Sequence, residues 1–190
     1  MLHGTIVNKT YHEQRFQQAY QKYYGRVAPY PLFEGILIPP EYQINKVKLR
    51  VTYGKKGKRP HFTSYQKKEH NNLKVVIDNR IKYALKLQDR HVLNVLYQQR
   101  GNCDDVLIVK EGYVTDSSYA NLVFFDGSEW FTPSTFLLPG TCRRRLLDLG
   151  WIKEREIQLE DVKTFKGFQL INALLDFDPD RVIPISGIWH

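Results

Sequence analysis

Cysteine is scarce in this chain, with only Cys103 and Cys142 in 190 residues. They allow at most one disulfide, and neither has a second Cys or a His at metal-ligand spacing, so the sequence offers no zinc pattern and reduced thiols are expected. Glycine and proline are also modest, at 12 and 9, with no internal repeat and no low-complexity tract. No run approaches the roughly 18 consecutive apolar residues of a bilayer-crossing helix. The opening Met1-Leu2-His3-Gly4-Thr5-Ile6 lacks the basic then apolar order of a signal peptide, and a cytoplasmic protein is expected. Three Trp, twelve Tyr and ten Phe need an interior, and 42% hydrophobic with 25% charged residues suits one or two small globular domains and excludes disorder. The unusual feature is a net charge of +8. It admits three kinds of partner: nucleic acid, a membrane surface or small anionic ligands.

Residues 55–70 hold six of the 28 basic residues and are followed by Asn71 and Asn72, a polar stretch that reads as a connection. It divides the chain into an expected small N-terminal domain, 1–70, and a larger C-terminal domain, 71–190. In the first, Thr10-Tyr11-His12-Glu13 has capping-box spacing, Phe16, Ala19, Tyr20 and Tyr23 recur at helical period, and Gly25 is placed to end the helix. Residues 47–53 alternate as a strand. In the second, 73–77 reads as a strand and 90–100 as a helix burying Val92, Leu93, Leu96 and Tyr97. Strands are then expected at 106–109, 120–125 and 129–131, with turns at Glu111-Gly112 and Asp126-Gly127. A helix at 143–149 and strands at 156–159, 168–173 and 182–185 complete an α+β chain.

Four places could carry chemistry. Lys86 lies between Leu85 and Leu87 with Asp89 at a helix start; composition alone makes it a surface lysine. Asp116-Ser117-Ser118-Tyr119-Ala120-Asn121 gathers short polar side chains, which also suits a loop that caps its own backbone. Leu138-Pro139-Gly140-Thr141-Cys142-Arg143 opens a helix, where free N–H groups and the helix dipole favour an anion and glycine permits its approach, although every helix has such a start. Arg15 sits at the edge of the first helix's apolar stripe, suited either to a phosphate or carboxylate or to a packed stem with its head in water.

In this order the pieces resemble the class IV aminotransferases, the D-amino-acid-aminotransferase-like enzymes of pyridoxal phosphate (PLP). His12-Glu13-Gln14-Arg15-Phe16 matches that family's His-x-x-Arg element, and Lys86-Leu87-Gln88-Asp89-Arg90 its lysine segment. Val114-Thr115-Asp116, leading to Asn121, matches its acid-to-Asn element. Thr132-Pro133 with 138–143 matches the last motif. Asp116 stands where the family has Glu, one methylene shorter, and Cys142 stands where it has Thr, removing a hydroxyl.

The resemblance implies a two-domain fold with PLP in the interdomain cleft and a homodimer. It gives Lys86 the bond to the cofactor and the proton transfers, Asp116 the pyridine nitrogen, and Arg15, Gly140 and the N–H groups of Thr141 and Cys142 the phosphate; Asn121 and Tyr119 line the pocket. Within the family, the segments 48–54 and 59–62 resemble the lyases that split 4-amino-4-deoxychorismate into 4-aminobenzoate, a folate precursor, and pyruvate. Arg59 would then meet a carboxylate of that small anionic substrate. A branched-chain or D-amino-acid transaminase is the alternative. The basic run with Tyr53, Phe62 and Tyr65 raises a third reading, a nucleic-acid-binding module, but such a run is more often solvated surface, and neither nucleic acid nor membrane is expected as a partner.

Overall fold

The first helix is bracketed by left-handed residues. Helix α1 (Lys9–Tyr24) follows Asn8 at φ 54° and stops at Gly25 at φ 70°, whose N–H donates back to the Gln21 carbonyl at 2.8 Å; glycine takes that conformation without a Cβ penalty. The capping box expected from Thr10 and Glu13 is not formed. Glu13 instead accepts the Leu32 N–H at 2.8 Å and Gln17 Nε2 at 3.1 Å. Satisfying a loop donor that would otherwise be stranded outweighs the local cap. The buried part of the α1 stripe is Phe16 and Tyr20, which pack with Ala28, Leu32, Tyr24, Tyr30, Val51 and Tyr53.

The computed structural model describes residues 1–190, which divide into two compact units, Met1–Lys68 and Glu69–His190. Beside α1, the first unit contains an antiparallel ribbon of β1 (Val47–Gly54) and β2 (Gly57–Ser64), turning where Gly54 faces Gly57. Residues 57–64 therefore belong to a strand, correcting their reading as part of a connection. Its alternation is hard to see because one face is Arg59, His61 and Thr63 and the other includes Lys58 and Pro60. Proline is tolerated here because a two-stranded ribbon leaves one side of each strand unpaired.

The second unit is built on a nine-stranded sheet. In chain order its elements are β3 (Leu73–Ile77), α2 (His91–Gln98), β4 (Asp105–Lys110), β5 (Tyr113–Ser117), β6 (Asn121–Phe125), β7 (Trp130–Pro133) and α3 (Thr141–Asp148), then β8 (Lys153–Arg155), β9 (Gly167–Ile171), β10 (Ile183–Pro184) and β11 (Ile188–Trp189). The main path runs β10-β9-β6-β5-β4-β3-β11, with β7 joining β6 to β8. Pairs β11–β3, β3–β4 and β7–β8 are parallel and the others antiparallel.

Period-2 alternation sorts the core. On β4, Val106 and Ile108 pack against Leu93 and Leu96 of α2, while Leu107 and Val109 join Leu122, Phe124 and Phe168 on the other face. Val123 turns instead to Leu146 of α3. Two details differ from the sequence expectation. Val92 is 42% exposed and Tyr97 only half-buried, because a two-turn helix aims a single pair, Leu93 and Leu96, inward. The strand expected at 156–159 shrinks to one bridge between Gln158 and Tyr113, since Gln158 opens a capping box with Asp161 and winds Leu159–Thr164 into a 3-10 turn. No helix is long and apolar enough to cross a membrane.

Candidate active site

A three-residue turn between β5 and β6 makes Asp116 and Asn121 direct cross-strand partners, so their side chains share one face of the sheet, the face that also carries Val123. The turn closes on itself. Ser117 N–H donates to the Ala120 carbonyl at 2.9 Å, and Ser117 Oγ accepts Ala120 N–H at 3.1 Å and Tyr119 N–H at 3.4 Å. The self-capping reading of this stretch is thus true of Ser117 and leaves Asp116 and Asn121 free for another role.

That role is visible in the segment before α3. Asn121 Nδ2 donates to Asp116 Oδ1 at 2.7 Å and to the Leu138 carbonyl at 3.0 Å, and the N–H groups of Leu137 and Leu138 donate to Asp116 Oδ2 at 3.0 and 2.9 Å. Burial pushes the Asp116 carboxyl up to about 6, outweighing the downward pull of those donors and of the Arg143 guanidinium. A carboxylate has about four acceptor positions. Three are taken here, and Oδ1 keeps one.

Gly140 completes the corner. A Cβ added there would lie 1.8 Å from Asn121 Oδ1, while its φ of −68° is ordinary. Glycine is required for space, and the close approach read from the sequence as room for an anion is taken in this structure by the Asn121 oxygen. Beyond Gly140, the first turn of α3 leaves the N–H groups of Thr141 and Cys142 without intrahelical acceptors. Both residues are buried. The Cys142 thiol turns toward Asp176 Oδ1 at 3.6 Å and packs with Val123, Trp130 and Leu146, and burial pushes it up to about 12. Cys142 therefore offers a backbone group and no thiolate. Arg143, the last residue of the motif, donates to the Pro133 carbonyl at 3.0 Å, pairs with Glu154 and stacks at 4.2 Å over Phe136, bracing the same segment.

Lys86 is exposed and lies at the apex of a γ-turn closed by Leu87 N–H to the Leu85 carbonyl at 2.9 Å. Four residues on, Arg90 Nη2 donates to the Ser118 carbonyl at 2.7 Å, tying the Lys86 segment to the turn between Asp116 and Asn121. Asp89 Oδ1 accepts the His91 N–H at 2.8 Å and steadies the start of α2. Tyr119 is half-buried, its ring 5.1 Å from that of His70. Beneath the turn, Asp105 is fully buried, and burial pushes its carboxyl up while Ser118, Val106 N–H and Ser117 pull it back. Neither Arg90 nor Asp105 was given a role from the sequence. Arg90 stood inside the lysine motif, whereas Asp105 had no signal, since its burial follows only from the sheet.

In the first unit, Arg15 is half-buried on α1, and burial holds its guanidinium below the usual range. Arg59 is exposed on β2 opposite Thr52, on the ribbon face turned away from the one that brings Val51 and Tyr53 to α1. The ribbon therefore separates these two arginines.

The sequence signature of the class IV aminotransferases matches residues 45–185. This chain belongs to that family. Class IV aminotransferases are PLP-dependent, and PLP is its cofactor. The chain is similar to an uncharacterized protein of Haemophilus influenzae Rd, 39% identical over 173 residues, 90% of this chain and 92% of that one. Among solved structures, a candidate 4-amino-4-deoxychorismate lyase from Haemophilus somnus 129pt is 32% identical, with a TM-score of 0.87 over 93% of both chains. A candidate amino-acid aminotransferase from Mesorhizobium loti, 19% identical with a TM-score of 0.60 over 90% of this chain and 79% of that one, shows the same fold.

The residues present fit that cofactor by their chemistry. There is a buried carboxylate with one acceptor position to spare for a ring N–H, a helix start with unused N–H groups for a phosphate, and an exposed lysine on a segment anchored to the same turn.

Proposed function

We infer that this class IV enzyme is a lyase that releases pyruvate from 4-amino-4-deoxychorismate to leave 4-aminobenzoate. The observation that carries the reading is the Asp116-Asn121 pair locked to the Leu137-Leu138 segment at the start of α3, with Lys86 tethered to the same turn through Arg90. The similarity over nearly the full length to a candidate lyase of that substrate supports the choice of reaction.

When bound, the cofactor supplies an electron sink conjugated with the substrate nitrogen. Lys86 would hold the cofactor and then take the proton from substrate carbon 4; the bond from carbon 3 to the ether oxygen breaks as the ring becomes aromatic, and the enolpyruvate released takes up a proton to give pyruvate, so no amino acceptor is needed. Asp116, through the free position on Oδ1, accepts the ring N–H and favours its protonated form. With Asn121 and two backbone N–H groups fixing both its oxygens, the carboxylate cannot swing away, which compensates for its shorter reach. The N–H groups of Thr141 and Cys142 bind the phosphate together with Arg15, which precedes the matched family region. Arg59 and Tyr119 bind substrate, Arg59 by pairing with a carboxylate.

A cytoplasmic homodimer that binds no nucleic acid belongs to the same reading, and light scattering together with a low-salt titration against single-stranded DNA checks both parts. The deciding experiment supplies 4-amino-4-deoxychorismate to the PLP-loaded protein and measures 4-aminobenzoate and pyruvate in equal amounts without a keto acid. Product that appears only with a keto-acid acceptor, as an amino acid, would make the enzyme a transaminase.

A further inference from the structure

Lys86 stands on a stretch with no core of its own. From Ala84 to Arg90 no side chain is buried, and the γ-turn at the apex rests on a local bond, Leu87 N–H to the Leu85 carbonyl. Left to itself, a segment with so few buried contacts opens easily. Downstream it is tied by Arg90 to the Ser118 carbonyl at 2.7 Å. Upstream the corresponding tie is Tyr83. Its ring is buried, at 8% exposure, in the cluster that joins Leu93 and Leu96 of α2 to Val106 and Ile108 of β4. Its hydroxyl reaches out of that cluster and donates to the Leu87 carbonyl at 3.4 Å, so one rigid side chain connects the core to the turn.

The same cluster carries Leu137 at its edge, the residue whose N–H donates to Asp116 Oδ2 at 3.0 Å. One body of packed side chains therefore supports both the lysine turn and the grip on the carboxylate. The reaction proposed above needs a proton-moving lysine and a ring-holding carboxylate at a fixed separation, and misplacing a reacting group by about 1 Å can cost about 10²-fold in rate.

We propose that Tyr83 is a positioning residue for Lys86, holding the 85–87 turn to the cluster that also supports Leu137. The proposal rests on the role given to Lys86 under Proposed function and adds to it a residue that lies before the Lys86–Arg90 motif.

Tyr83→Phe keeps the buried ring and removes the hydroxyl. In the cofactor-free full-length protein, amide exchange followed by NMR should speed up about fivefold at Leu87, the loss of one hydrogen bond. It should stay nearly constant at Asn94, whose N–H donates to the Arg90 carbonyl at 2.9 Å at the start of α2. In the PLP-loaded enzyme, kcat on 4-amino-4-deoxychorismate should fall about fivefold with KM within about twofold, the pattern of a group needed only for the chemical step. Unchanged exchange at Leu87 overturns the proposal. Faster exchange at Leu87 with unchanged kcat also overturns it, because the turn then need not be held. So does equal acceleration at Leu87 and Asn94, which would mean that the hydroxyl acts on the packing of α2 as a whole. Lys86→Ala separates the two layers. If borohydride still fixes the cofactor to that variant at the wild-type level, the role of Lys86 fails and the proposal with it; if the adduct is lost but Leu87 does not respond to Tyr83→Phe, that role stands and Tyr83 alone falls.

Discussion

A buried hydroxyl of the first unit, that of Tyr20, and a buried carboxyl of the second, that of Asp116, are held in opposite ways. In Met1–Lys68, the hydroxyl of fully buried Tyr20 has no hydrogen-bond partner, and its ring is held by packing against Phe16 and Tyr24. In Glu69–His190, the central group is an acceptor enclosed by donors, with Asp116 held by a side-chain amide and two backbone N–H groups. A saturated group fixes geometry, because each of its hydrogen bonds must break before it moves. An unsaturated one is held by the packing of its ring alone. The difference predicts that removing a partner of Asp116 costs stability, while truncating exposed Arg59 in the first unit leaves the fold nearly as stable as before.

The largest effect tests the chemical end of the contrast. Lys86→Ala should lower turnover at least about 10³-fold and abolish the borohydride-stable pyridoxyl adduct that mass spectrometry would find on the wild type. Because Lys86 is exposed, urea unfolding should hardly change. Asn121→Ala comes next. It strips one donor from Asp116 Oδ1 and one from the Leu138 carbonyl in a buried corner, and should cost about 2 to 4 kcal/mol in the same assay. A loss below about 1 kcal/mol would show that water replaces the amide and that the corner is not closed.

The pH dependence of Asp116 sharpens the comparison further. Its folded carboxyl titrates near 6, above its ordinary value of 3.8, so the folded chain holds this proton to a higher pH than the unfolded chain. Stability from this group is therefore full below about pH 4 and lost as pH rises through 6. The stability of cofactor-free wild type minus that of Asp116→Asn should fall between pH 4 and 7, by about 3 kcal/mol, since each pKa unit is worth about 1.4. A difference that grows with pH would mean that the three hydrogen bonds outweigh burial. The smallest effect belongs to the first unit. Arg59→Ala, at an exposed position with no ion pair, should change stability by less than about 0.5 kcal/mol while raising the KM for substrate.

Much of the second unit was legible in the sequence because its apolar residues alternate with little interruption, as in Val106 to Val109, and because glycines mark its turns; Glu111 and Gly112 adopt φ of 52° and 83°. The first unit hid more. Strand β2 carries its basic residues in a run that imitates a linker, and only the facing strand reveals that Arg59 and His61 share one side. The capping box failed because Glu13 serves Leu32, a partner that no local rule can supply. At the site, the order of motifs led to Lys86, Asp116, Asn121 and Gly140, whereas the bonds among them depend on the register that sets Asp116 opposite Asn121. Tyr53 was noticed only as one aromatic within a basic stretch, since its packing on Phe16 exists only once β1 lies on α1.

Gly140 and Asn121 are written at separate places in the chain, yet they occupy one volume. With 1.8 Å between the missing Cβ and the amide oxygen, any larger residue at 140 forces Asn121 to move and with it the grip on Asp116. The two positions cannot drift independently. A lineage or a laboratory library that changes Gly140 first meets a dead end, while one that first shortens Asn121 opens the door, so the order of substitution decides which neighbours in sequence space this enzyme can reach.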